Sequence, residues 1–182
     1  MTGQSTTTTR SAEPFDVSFF RRAMALHPSG VAIVTTVDGQ GAPWGFTATS
    51  FCSLSADPPL ILVCIAKSAQ CYPVFQTTNS FAVQLLHSGH IPLAERFATR
   101  GADKFATGEF APNHSGLPVL SGAAVVLECT THARYEEGDH VILVGQVSDV
   151  ELGKDTMPAV YFQRGFHGLT SGEPDDRSTG NT

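Results

Sequence analysis

The most restrictive feature of this sequence is a pair of long strand-like runs, Ala124 to Arg134 and Val141 to Val150, separated by Tyr135-Glu-Glu-Gly-Asp-His140. The spacer has hairpin-turn chemistry, because Gly138 admits a positive φ and Asp139 can close an Asx-type turn. Strands joined this tightly pair antiparallel, whereas a parallel neighbour needs a long crossover. The rest of the chain follows suit. Val31 to Val37 is β-branched, and Asp38-Gly-Gln-Gly-Ala-Pro43 turns it into a second run, Trp44 to Phe51. Leu60 to Ile65 predicts a strand buried on both faces, Phe81 to Leu86 another, and Val160 to Phe162 a last short one.

Helical signals are fewer. Asp16 to Leu26 predicts a helix capped by Asp16 or Ser18, with Phe19, Phe20, Ala23 and Leu26 spaced along it and Pro28 as its stop. Ser68 to Thr77 is a second candidate, with Pro73 counting against it, and His90 to Ala98 a third, with Leu93, Ala94 and Phe97 to one side. Gly101 to Gly116 reads as a loop. Six or seven strands in hairpin order with two or three helices point to a closed antiparallel barrel, since closure removes exposed edges. One domain is expected over residues 15–169, between disordered tails at residues 1–14 and 170–182.

Composition excludes several roles. A formal net charge of −6 argues against a nucleic-acid partner, because neutralising phosphates needs clustered Lys and Arg. The longest apolar run, Leu60 to Ala66, is far below the ~20 residues of a membrane-spanning helix. The N-terminus lacks the apolar core of a secretory signal, and the 4 cysteines form no close metal-binding pair. Reduced thiols in a cytoplasmic protein are expected. His87 and His90 could bring two imidazoles together, yet no third ligand stands nearby and no metal is expected. Phosphate-loop, GxGxxG, HExxH and GxSxG signatures are all absent.

Two stretches retain chemical interest. Thr47-Ala-Thr-Ser-Phe-Cys-Ser-Leu-Ser-Ala56 is uncharged and rich in small hydroxyls, which can hold a phosphate and a flat polar ring without crowding it. A Thr/Ser-rich edge strand would have the same composition. Gly138-Asp139-His140 places an imidazole, able to switch protonation near neutrality, at the start of a strand. Taken alone, plain turn chemistry with an exposed His is the better explanation.

Taken together, "HPSGVAIVTT" (His27 to Thr36), "GFTATSFCSLSADPPLILVCI" (Gly45 to Ile65), "SFAVQLL" (Ser80 to Leu86), "LAERFA" with "DKF" (Leu93 to Phe105) and "GDHVILVGQV" (Gly138 to Val147) resemble the short-chain flavin reductases. These are the FMN-binding split-barrel proteins that serve two-component monooxygenases. The resemblance implies a mainly β fold, a six-stranded antiparallel Greek-key split barrel with a few peripheral helices. It also implies a homodimer with flavin sites at or near the subunit interface. The implied activity is NAD(P)H:flavin oxidoreduction, with hydride passing from NADH or NADPH to FAD or FMN. Reduced flavin would then go to a separate flavin-dependent monooxygenase in a catabolic or a secondary-metabolite pathway. A tightly flavin-bound oxidase of the same superfamily, or a non-catalytic flavin- or haem-binding module, is the alternative.

By the same resemblance, Thr47, Ala48, Thr49, Ser50, Ser53 and Leu54 would line the flavin. Lys67, Ser68 and Gln70 would meet its phosphates, with Lys104 a second cation and Phe105 an aromatic wall. Thr35 and Thr36 would neighbour the flavin, although two surface β-formers would look alike. His140, beside Asp139, would orient the nicotinamide as the catalytic residue, and Phe166 would cover the cleft.

Overall fold

The computed structural model of the 182-residue chain describes residues 15–154 and 157–169; the expected tails lie outside these residues. In chain order the elements are α1 (Val17–Met24), β1 (Ser29–Gly30), β2 (Ala32–Val37), β3 (Pro43–Ala48), β4 (Cys52–Ala56), β5 (Pro59–Ala66) and α2 (Tyr72–Phe75). There follow β6 (Ser80–Leu85), α3 (Ile91–Ala98), β7 (Phe110–Pro112), β8 (Pro118–Leu120), β9 (Val125–Glu137), β10 (His140–Leu152), β11 (Ala159–Phe162) and β12 (Gly165–Gly168).

The main sheet has the order β3-β2-β6-β9-β10-β5-β4, and every pairing in it is antiparallel. Its outermost strands, β3 and β4, are consecutive in sequence and separated only by residues 49–51. Laid flat, a sheet of this order would hold those strands about 29 Å apart at ~4.8 Å per interval. Three linking residues reach no further than ~14 Å between the strand ends. The sheet therefore has to curl until its edges come within reach of that link. The chain passes from β5 to β6 by a long connection across the places that β10 and β9 occupy, which is Greek-key topology.

The main sheet contains seven strands where six were expected. The added strand is β4, because the expected run Trp44 to Phe51 ends at Ala48 and the hydroxyl-rich segment divides in two. Ser50 makes the division. Its Oγ accepts from the Cys64 amide at 2.8 Å and donates to the Cys64 carbonyl at 3.4 Å. Position 50 is the next opposite Cys64 in the register that pairs Cys52 with Leu62, so a side chain takes over the ladder and frees the backbone to leave it.

The strand buried on both faces is β2, whereas β5 alternates, with Ile61, Val63 and Ile65 buried and the residues between them half-buried. The reason is what lies outside each. The inner face of β2 joins the barrel core with Val63, Phe75, Phe81 and Leu143. Its outer face, through Ile33, meets a second cluster built on Leu86, Leu93, Phe97 and Ala159. That cluster is roofed by α3, whose Leu93, Ala94 and Phe97 are buried as their spacing predicts. The outer face of β5 has no such roof.

Local chemistry accounts for the remaining elements. Asp16 caps α1, its Oδ1 accepting from the amides of Ser18 and Phe19. The Asp38 hairpin closes as expected, with Asp38 Oδ1 accepting from Gln40 and Ala42 and Oδ2 from Trp44 Nε1. α2 is shorter than Ser68 to Thr77, because Pro73 is tolerated only in a first turn. The β9–β10 turn is the tightest available, two residues with Gly138 first at φ +57°, so both strands run longer than expected. The expected strand Val160 to Phe162 is β11; the Gly101-to-Gly116 loop holds part of a small ladder, β7 on β8, and β12 adds to β11, and β7, β8 and β12 have no periodic signal of their own. Among the described residues no helix is long and apolar enough to cross a membrane.

Candidate functional site

Closing the sheet at residues 49–51 leaves a cleft of about 410 Å³ beside the link. One wall is β3 and the link, Gly45 to Ser50; the opposite wall is Ser68 to Cys71 ahead of α2. The end of α3 and the residues after it, Phe97 to Arg100 with Lys104, form a third side, and His140 stands at the start of β10. Gly45 is needed for this shape. A Cβ there would lie 2.8 Å from Phe97 Cε1 and 2.9 Å from the Val34 carbonyl oxygen, so any side chain would push α3 off the barrel.

The charge of the lining is one-sided: Arg100, Lys104 and His140 are its charged or chargeable residues, and it contains no Asp or Glu. Lys104 Nζ donates to the carbonyls of Phe97 and Thr99, where a cation also complements the C-terminal end of α3. Its partial burial lowers the ammonium pKa. No described hydrogen bond or ion pair engages Arg100. Cys71 lies buried at the cleft floor, and desolvation pushes its thiol up to about 11, so it is held protonated.

His140 is oriented from behind. Its Nδ1 lies 2.7 Å from Asp139 Oδ1, and hydrogen bonding from the imidazole is the main reason the Asp139 carboxyl is held below the usual carboxylate range. An ionised carboxylate only accepts, so Nδ1 carries the proton and Nε2 is the ring's remaining polar atom. The imidazole is half-exposed. The turn is anchored to the opposite wall by the Lys67 amide, which donates to the Asp139 carbonyl at 2.9 Å.

The structure gathers Thr47, Ala48, Thr49, Ser50, Ser68, Gln70, Lys104 and His140 around one cleft. Their hydroxyls are not all available. Thr47 Oγ1 donates to the Ala94 carbonyl at 2.6 Å and Ser50 is committed to Cys64, whereas Thr49 carries no described hydrogen bond. Gln70 Oε1 accepts from the Gly101 amide, tying two walls together.

Other expected residues lie elsewhere. Ser53 and Leu54 continue onto β4 and do not line the cleft. Lys67 pairs with Glu136 at 3.1 Å, away from the lining. Phe105 is no wall of this cleft: its ring packs against Phe97 and Phe110, each at 5.2 Å, inside the second cluster. Phe166 packs against Tyr161 at 5.1 Å in the same cluster and covers nothing here.

Thr35 and Thr36 are outside the lining and are not surface residues, since both are fully buried. Thr35 Oγ1 donates to the Pro118 carbonyl, and Thr36 Oγ1 lies 2.7 Å from both the Ser80 carbonyl and Thr78 Oγ1. Arg100 is the residue the sequence reading missed. Its only signal was a basic residue just past the end of a predicted helix.

A flavin fits this lining. Small neutral groups and backbone bound a space in the ordinary range for ligand pockets, and cations at one end match a phosphate. Among the described residues, no group of three or more His, Cys, Asp and Glu is placed to hold a metal, although the His87 and His90 rings do stack at 3.7 Å.

Comparison with known proteins agrees with this geometry. The flavin reductase like domain matches residues 24–170. Actinorhodin polyketide dimerase of Streptomyces coelicolor is 51% identical over 86% of this chain and 88% of its own length. The NADH:riboflavin 5'-phosphate oxidoreductase of Streptomyces pristinaespiralis is 40% identical over 85% and 89%, respectively. Among solved structures, the NADH:FAD oxidoreductase of Streptomyces globisporus, in complex with NAD and FAD fragments, superposes with a TM-score of 0.80 at 33% identity, covering 92% of this chain and 99% of that one. On the match over residues 24–170 and the identity to these relatives, the chain belongs to the flavin reductase like domain family.

Proposed function

We propose that this protein is an NADH-dependent flavin reductase. It transfers hydride from NADH to FAD or FMN and releases the reduced flavin to a separate monooxygenase. The observation that carries the reading is the meeting of His140 with Thr47 to Ser50 in one cleft, although they are far apart in sequence. When bound, the flavin accepts the hydride that a nicotinamide supplies. The chain's own residues bind and orient. Backbone and small side chains of Thr47 to Ser50 with Ser68 and Gln70 face the flavin, and Arg100 with Lys104 meets its phosphate. His140, held by Asp139, positions the nicotinamide. Face-to-face placement of two reactants is worth ~7–11 kcal/mol of barrier in favourable cases, so the cleft needs no nucleophile.

The protein acts as a homodimer. Beyond Gln146, β10 has no partner on its β5 side among the described residues, and Val150 and Leu152 are exposed there, an edge that a second copy would cover. A cytoplasmic site of action accords with Cys52, Cys64, Cys71 and Cys129, all free. An acidic chain of this kind has no nucleic-acid role.

The test is NADH oxidation by the purified protein without flavin, with FAD and with FMN. Turnover that depends on added flavin is expected. No oxidation of NADH or NADPH with either flavin would overturn the reading.

A further inference from the structure

The third side of the cleft is attached differently from the others. It runs on from α3 through residues 99–104, of which Thr99, Arg100, Gly101 and Asp103 are exposed. The Thr99 amide and Lys104 Nζ donate only to carbonyls of residues 95–99, which stiffens the segment without fixing it to the barrel. Among the described residues, only one hydrogen bond crosses from this segment to the barrel side. Gln70 Oε1 accepts from the Gly101 amide at 2.8 Å.

The two ends of that bond differ in rigidity. Gln70 stands between Ala69, which packs on the barrel core, and the buried Cys71. The turn around it is closed by the Tyr72 amide donating to the Ala69 carbonyl at 3.0 Å and the Phe75 amide donating to the Cys71 carbonyl at 3.1 Å. At Gly101, by contrast, an added Cβ would meet nothing within 4 Å. A fixed post holds a segment that little else holds.

The bond also stands on a boundary. Beyond it lies a second space of about 290 Å³, walled by Pro43, Trp44 and Phe105 among others. Gly45, Gln70, Cys71 and Lys104 line both spaces. Arg100 lines the cleft alone, whereas Gly101, Ala102 and Asp103 line the second space alone. The chain thus leaves the cleft at the residue that Gln70 grips. Lys104 is tethered through its own side chain, but Arg100 has no described partner, so its backbone decides where its guanidinium can reach.

We infer that Gln70 is a positioning residue for the flavin phosphate and acts through Arg100 rather than by meeting the phosphate itself. This rests on the reductase reading, which brings a phosphate to Arg100 and Lys104. The Gln70 carboxamide fixes Gly101 and so holds the neighbouring guanidinium at the cleft before the flavin arrives. A guanidinium pairs with phosphate through a planar fork, so its contribution depends on orientation. Ordering it in advance removes a cost that binding would otherwise carry.

The test is fluorescence titration of the full chain with FMN and with riboflavin, which has the same ring and ribityl chain but no phosphate. Gln70→Leu keeps the bulk and removes the acceptor, Arg100→Gln removes the charge, and both positions are exposed. Gln70→Leu is expected to weaken FMN about tenfold, the order of one lost charge-assisted hydrogen bond, and to leave riboflavin unchanged. Arg100→Gln is expected to do the same. The double variant should be no weaker than Arg100→Gln alone, because residues acting through one another do not add. Unchanged FMN affinity in Gln70→Leu, equal weakening of FMN and riboflavin, or losses that multiply in the double variant would each overturn the proposal. Multiplying losses would mean that Gln70 meets the phosphate directly. If the unsubstituted protein binds neither flavin, the reductase reading itself falls, and this role with it.

Discussion

Two pairs of hydroxyl residues on neighbouring strands met opposite fates. Thr35 and Thr36 end β2; Thr47 and Thr49 end β3 and begin the link. In sequence both are threonines closing an apolar run. In the fold, Thr35 and Thr36 are fully buried, with each hydroxyl spent inside the protein. Thr47 and Thr49 are half-buried on a cleft wall, and only Thr47 is spent, on the helix that forms the third side. The difference is what covers each strand end. Pro118 and the Thr78–Ser80 segment close over β2, whereas the chain leaves the sheet after β3 and opens a gap. The first pair is tied into the interior, and the second lines the candidate cleft.

That contrast is sharpest at the cleft's far wall. His140→Ala should lower NADH-dependent kcat/KM by about tenfold to a hundredfold, the range expected when one reactant is misplaced by an ångström. Flavin affinity should stay nearly intact. Unchanged turnover and KM would remove His140 from the site. Thr35→Val tests the opposite side of the comparison. It leaves the Pro118 carbonyl without this donor and Gln84 Nε2 without this acceptor in a fully buried setting, which costs about 1–3 kcal/mol of stability. Chemical denaturation should report that loss, and a flavin titration of the folded protein should report nothing. A weakened flavin Kd with unchanged stability would break the comparison.

Thr47→Val removes a part-buried hydrogen bond to the Ala94 carbonyl and should cost about 1 kcal/mol. Part of that effect should appear as weaker flavin binding, through a looser α3. The smallest effect is a labelling pattern. Cys52, which is exposed, should react first with a thiol reagent at pH 8. Cys71 and Cys129, pushed up to about 11 and about 12 by burial, stay protonated and inert. Cys64 lines the cleft, so added flavin should slow its labelling while leaving Cys52 unaffected. Equal protection of both would move the flavin elsewhere.

Much of the site was legible because its residues carry local signals. A Gly-Asp-His turn is recognisable from turn chemistry alone, and an uncharged run of small hydroxyls is conspicuous where a solvent-facing strand should show charge. Phe105, Phe166, Thr35 and Thr36 were expected at the flavin and lie outside the cleft lining, and an aromatic or a threonine suits a core and a pocket equally. Which it serves depends on residues far away, here Phe97 with Phe110, Tyr161, Pro118 and Ser80. Arg100 went unseen for the opposite reason: an exposed arginine after a helix has no pattern to betray that a cleft lies beneath it.

The sequence by itself determined the antiparallel pairing, the capped α1, the buried side of α3 and the tight turn before His140, since each depends on residues only a few positions apart. Tertiary structure alone decided that the sheet rolls until three residues can link β3 to β4, and that Ser50 stands in for a backbone partner at that link. It also decided that β2 rather than β5 is covered twice. Those outcomes depend on the length of a link measured against the width of a sheet, and on which helix lands where, and no local pattern of residues encodes either.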